Sequence, residues 1–157
     1  MLSYEMLHRV AYYETDTMGY VHHSNYVRFF EIIRTEMIRT TGMSYAALEA
    51  SGVMMPIVAV QCRYHRPAKY DDLLTLKATI KEAPAARLLI EYEVLNEEGS
   101  LLCSGSTTLA FIDALTRRPR RVPDDFLKAL SGKRKAESGK RKAEGGKRKA
   151  EGGKVII

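Results

Sequence analysis

The chain has 157 residues, 45% of them apolar, which is enough for one domain with its own core; no apolar run approaches the roughly 20 residues that span a bilayer. Its net charge of +6 is unevenly placed: residues 131–157 carry ten Lys or Arg against three Glu, or +7, leaving 15 basic and 16 acidic groups, or −1, on the other 130 residues. The body is therefore close to neutral, and the basic balance gives no reason for it to bind nucleic acid or a membrane.

The opening residues, Met1–His8, lack the basic-then-apolar pattern of a signal peptide. Cys62 and Cys103 both fall in apolar, strand-like runs. They are expected to be reduced, buried thiols of a cytoplasmic protein, without a disulfide.

A first strand is expected over about Glu5–Tyr12. A polar turn with Asp16 and Gly19 follows, then two histidines. A helix is expected over about Asn25–Thr41, because Tyr26, Phe29, Phe30, Ile33 and Met37 recur at spacings of three and four. Ser24 or Asn25 is expected to cap its start, and Gly42 to end it. The stripe is wide and aromatic, which predicts a helix covered on most sides. A short helix over about Tyr45–Ala50 has Ser44 as its cap and Gly52 as its stop.

Four strand patterns come next, over about Met54–Arg66, Leu73–Lys81, Arg87–Leu95 and Leu101–Ile112. The second alternates Leu74, Leu76, Ala78 and Ile80 against Thr75, Lys77, Thr79 and Lys81, as a sheet with one buried face requires. The third alternates Leu88, Ile90, Tyr92 and Val94 in the same way, and Asn96-Glu97-Glu98-Gly99 marks a hairpin turn. A strand, a long helix and an antiparallel meander make an α+β fold, with the helix on one face of the sheet.

Residues 131–151 are three near-copies of a (Ser/Gly)-Gly-Lys-Arg-Lys-Ala-Glu heptad, followed by Gly-Gly-Lys-Val-Ile-Ile. No position is reliably apolar, so there is no coiled-coil seam, and the glycines oppose an isolated helix. A disordered, low-complexity tail is expected from 131 onward, with weak polyanion attachment through the Lys-Arg-Lys clusters as its other reading.

The chemistry-bearing stretch is Tyr12 to His23. A carboxylate on a turn beside a helix start brings together a base or nucleophile and a set of unpaired backbone N–H groups. Asp16 can attack an acyl carbonyl directly or activate water, and an Asp before a Gly also caps turns on its own account. Gly19 permits a positive φ or a close approach to the acyl group. His22 and His23 stand beside Glu14 and Asp16. However, adjacent histidines point differently and no His-x-x-x-His or Cys pair supports them, so no metal and no other cofactor is expected. His8 and His65 are expected to be structural.

The run Tyr12-Tyr-Glu-Thr-Asp16-Thr-Met-Gly19-Tyr-Val-His-His23-Ser-Asn25-Tyr26, followed by Phe29-Phe30-Glu31 and a helix, resembles the hotdog-fold acyl-CoA thioesterases. The nearest likeness is to the 4-hydroxybenzoyl-CoA thioesterase branch, including the Tol-Pal-associated thioesterases. It covers about residues 5–128 and includes Tyr64-His65-Arg66-Pro67, Asp71-Asp72 and Arg120-Arg121-Val122-Pro123. The resemblance implies a sheet wrapped around a long central helix over residues 1–130, a homodimer with two sheets joined edge to edge, and often a homotetramer. It implies thioester hydrolysis with Asp16 as the catalytic carboxylate, a helix N-terminal amide at His23 as oxyanion donor, and Tyr12 in the site. The substrate is then acyl-CoA or an acyl group on acyl carrier protein; a non-catalytic acyl-CoA-binding domain is the alternative outside enzymes. Arg63, Arg66, Lys69 and the 117–121 arginines suit coenzyme A phosphates. Tyr26, Phe29, Met54, Met55 and Pro56 are expected around the acyl group, near a dimer seam.

Overall fold

Alternation of apolar and polar residues decides the sheet. In the computed structural model, which describes residues 2–132, β1 (Leu2–Arg9), β3 (Ile57–Tyr64), β4 (Leu73–Ile80), β5 (Arg87–Leu95) and β6 (Leu101–Ala110) form one antiparallel sheet in the order β1-β4-β5-β6-β3. Leu74, Leu76, Ala78 and Ile80 of β4 and Leu88, Ile90, Tyr92 and Val94 of β5 are buried, as the alternation predicts. The opposite face carries charge in register: Lys77 lies between Glu5 and Glu93 on the neighbouring strands and pairs with both.

The meander β4-β5-β6 is the expected one, but β3 departs from it. It crosses to pair with β6 at the sheet edge instead of with its chain neighbour β4. The expected single strand Met54–Arg66 is broken in two, because Pro56 has no N–H for a ladder. Its first piece, β2 (Val53–Met54), pairs with β7 (Ile112–Asp113), which is likewise split from the strand expected to run on through Ile112.

The helix α1 (Ser24–Arg39) lies across this sheet on its apolar face. Tyr26, Phe29, Phe30, Ile33 and Met37 are all buried, while Val27, Arg28, Glu31 and Ile32 are exposed. The helix is thus covered on one side, not most sides. Phe30 stacks on Tyr92 with ring centroids 4.4 Å apart. The two elements meet so closely here that a Cβ on Gly105 would sit 2.6 Å from a Phe30 ring carbon. Within the core, Arg34 is buried; its Nε donates to Tyr45 Oη at 3.0 Å and its Nη1 to Tyr92 Oη at 3.3 Å. Among the described residues no carboxylate pairs with it.

Short-range signals set the smaller pieces. Ser44 Oγ accepts the Ala47 amide at 3.1 Å and caps α2 (Tyr45–Ala50), and Gly42 has the left-handed φ of +83° that ends a helix. One helix was not expected: α3 (Asp124–Ser131) follows Pro123, opens on two aspartates and packs Phe126 against Phe111. The expected disordered tail and its polyanion attachment lie outside the described residues, apart from Ser131 and Gly132.

Candidate active site

The first strand ends at Arg9, three residues short of the expected Tyr12, and Tyr12–Glu14 forms a single 3-10 turn. The reason is Glu14: its carboxylate folds back to accept the Ala11 amide at 2.7 Å, which curls the chain out of the sheet. From there the chain makes a tight excursion. Asp16 N donates to Tyr20 O at 2.8 Å, Thr15 bridges Val21, and His22 N returns to Glu14 O at 2.8 Å. Gly19 takes a φ of +80°, with no atom within 4 Å of the position of an added Cβ. The positive φ expected of this glycine is present.

Asp16 is half-buried at the head of this turn. Its Oδ1 accepts the amides of Met18 at 2.9 Å and Tyr20 at 3.2 Å. The turn-capping role is therefore real, and it fixes the carboxylate's orientation. Oδ2 accepts no hydrogen bond among the described residues.

The helix start beside it lacks the expected cap. Ser24 Oγ engages the His22 ring at 2.8 Å, and Asn25, 7% exposed, donates from Nδ2 to Glu14 O at 2.8 Å. Neither side chain caps α1. The His23 amide donates to no acceptor among the described residues, so it remains one of the free N–H groups at the positive end of the helix dipole. Tyr64, at the end of β3, donates its phenol to His23 O at 3.1 Å, and its ring lies edge-on to those of His23 and Tyr26.

Asp16, His23, Tyr26, Arg66, Tyr64, Val21 and Pro67 line one open cavity of about 270 Å³. Burial pushes the Tyr26 phenol up to about 12, with Cys103 adding to the shift, so this hydroxyl stays protonated as a wall of the cavity. Cys62 and Cys103 are free thiols with sulfurs 3.4 Å apart; burial, then its neighbour Cys62, pushes the Cys103 thiol up and keeps it unreactive.

Other expected site residues stand apart from the cavity. Tyr12 is 78% exposed and packs edge-on to Tyr70. Arg63 faces the other side of the sheet, in a depression shared with Lys77, Lys81, Glu91 and Glu93. Met54 lies on β2, its sulfur 3.3 Å from Arg117 Nη1, and Met55 packs against the core. Tyr64 was not singled out from the sequence, because only the β3 crossover brings it to the helix start. His8, expected to be structural, places its Nε2 2.8 Å from Glu14 Oε1, at the root of the Asp16 turn.

A family model described as the thioesterase-like superfamily matches residues 10–130. An acyl-CoA thioester hydrolase, YbgC, of Escherichia coli O6:H1 is 34% identical over 115 residues, spanning 73% of this chain and 86% of that one. A putative acyl-CoA thioesterase, YneP, of Bacillus subtilis is 29% identical over 110 residues, 70% of this chain and 80% of its own. Among solved structures, a DHNA-CoA thioesterase from Staphylococcus aureus superposes with a TM-score of 0.77 at 31% identity, covering 83% of this chain and 90% of that one.

Proposed function

The chain belongs to the thioesterase-like superfamily, with the hotdog fold, and from that premise we propose that it hydrolyses acyl-CoA thioesters to a carboxylic acid and free coenzyme A, using Asp16 and the His23 amide. One observation carries the assignment of residues. Asp16, with Oδ2 uncommitted, and His23, with its N–H unengaged, line the same cavity.

The chemistry needs little more. A thiol is far more acidic than an alcohol (a cysteine thiol has a pKa near 8.5), so it leaves as thiolate with little acid assistance. Asp16 Oδ2 attacks the thioester carbonyl to give a mixed anhydride that water then cleaves, or it takes a proton from the water that attacks. In either route negative charge develops on the carbonyl oxygen, and the His23 N–H at the helix start stabilises it. Met18, Val21, Tyr26 and Pro67 supply an apolar wall for the acyl group, and Arg66 at the rim suits a coenzyme A phosphate. Two free thiols and a substrate of this class fit a cytoplasmic setting.

We also propose that two copies join through β3. Among the described residues this strand pairs only with β6, and it exposes Ile57, Val58, Val60 and Tyr64, the last of which lines the cavity. Sedimentation at micromolar concentration reads the dimer directly.

The decisive experiment is thiol release from a panel of acyl-CoAs. Asp16→Asn is expected to keep the fold and lose most turnover; wild-type rates in that variant would reject Asp16 as the reacting group.

A further inference from the structure

We propose that Glu14 and His8 are a positioning pair that holds the Asp16 turn in register with the His23 amide. The proposal rests on the reading of Asp16 as the reacting carboxylate.

Glu14 is an acid that the hydrolysis does not use, yet it is only 5% exposed. Burying a carboxylate is costly unless its hydrogen bonds are made. Here they are: Oε1 accepts the Ala11 amide at 2.7 Å and lies 2.8 Å from His8 Nε2. An ionised carboxylate only accepts, so the histidine nitrogen is the donor. The His8 ring in turn leans on Phe29, centroids 4.6 Å apart, and Phe29 is fully buried in the core. The side chain of Glu14 is thereby anchored to β1 and to the underside of α1.

Its main chain does a second job. The Glu14 carbonyl accepts from both His22 N and Asn25 Nδ2, each at 2.8 Å. Glu14 is therefore the point where the chain leaves for the Asp16 turn and the point where it returns to start the helix. The bond from His22 N also commits the amide just before His23 to Glu14, while His23 N–H donates to no acceptor among the described residues. A shift of Glu14 moves the carboxylate and the oxyanion donor relative to each other. A misplacement of about 1 Å at a reacting group can cost on the order of 10²-fold in rate.

The test uses the purified full chain and acetyl-CoA or benzoyl-CoA, whichever it turns over faster. Glu14→Gln and His8→Ala are expected to lower kcat about 10- to 100-fold, with KM within about threefold, since neither residue touches substrate. His8→Gln, which keeps a donor, is expected to recover part of the loss. In single-turnover experiments on Asp16→Asn, adding Glu14→Gln is expected to cause no further loss, because the pair acts through Asp16. Wild-type kcat in a folded Glu14→Gln, or losses that multiply fully with Asp16→Asn, would overturn the proposal. If Glu14→Gln does not fold, the two His8 variants are read the same way. Wild-type turnover by Asp16→Asn would instead remove the reading of the site itself, so the two failures are distinguishable.

Discussion

Tyr64 donates its phenol to the carbonyl of His23 across 3.1 Å, tying the end of the outermost strand to the residue that begins the central helix. The contact joins two segments 41 residues apart. The amide of His23 donates to no acceptor among the described residues. Tyr64→Phe is expected to cost about 0.5–1.5 kcal/mol of stability, the usual net value of one hydrogen bond. Turnover is expected to fall several-fold through loss of alignment. Urea unfolding and kcat on one acyl-CoA measure the two effects side by side.

His23 separates amide from ring. Its φ of −53° lies within the range a proline ring imposes, and its N–H serves no intramolecular bond among the described residues. His23→Pro is therefore expected to fold and to lose about 10²–10³ in kcat, the usual cost of one oxyanion donor. His23→Ala keeps the amide and is expected to retain a much larger share of activity. Equal losses in the two variants would assign the role to the imidazole.

Alkaline pH is expected to destabilise the fold in a specific window. Burial pushes Tyr26 and Tyr45 each from about 10 up to about 12, although Arg34 pulls Tyr45 partly back down. The native state therefore favours the protonated phenol. That stability is fully present below pH 10, the unfolded value, and is lost as the pH rises from 10 towards 12. Urea midpoints are expected to change little from pH 9 to pH 10 and to fall from pH 10 to pH 11. Tyr45→Phe is expected to flatten the decline.

Arg34 makes a buried charge depend on neutral acceptors. Tyr92→Phe takes one acceptor away and leaves the guanidinium in place, with an expected loss of about 1–3 kcal/mol. Arg34→Met removes the charge and keeps much of the bulk, so its loss is expected to be the smaller of the two. Denaturant titration of both variants gives the order directly.

Where contact is local or periodic, the sequence carried the structure. The alternation in β4 and β5, the aromatic stripe of α1, the Ser44 cap and the left-handed glycine at 42 all act within a few residues. What it did not carry depends on distant partners. Pro56 was a strand breaker that the expected strand ran straight through, and the crossover of β3 to β6 was not legible, because β4 is an equally good neighbour by pattern. Asn25 and Ser24 are good caps by type, yet a carbonyl eleven residues back and a histidine ring claimed their side chains. The α3 helix was within reach: Pro123, two first-turn aspartates and Phe126 with Leu130 are the ordinary signs of a short amphipathic helix. In the site, Asp16 stood out on its turn before the helix, and His23 through the family resemblance. The positions of Tyr64 and His8 follow only from the folded sheet.

The close approach of Gly105 to Phe30 turns the central helix into a lever. Phe30 rests on the sheet at this fulcrum, seven residues, or about 10 Å of helical rise, from His23. Any side chain introduced at 105 acts as a wedge under the middle of the beam and swings its far tip. A residue that lies outside the cavity thus bears on the pitch at which His23 faces it.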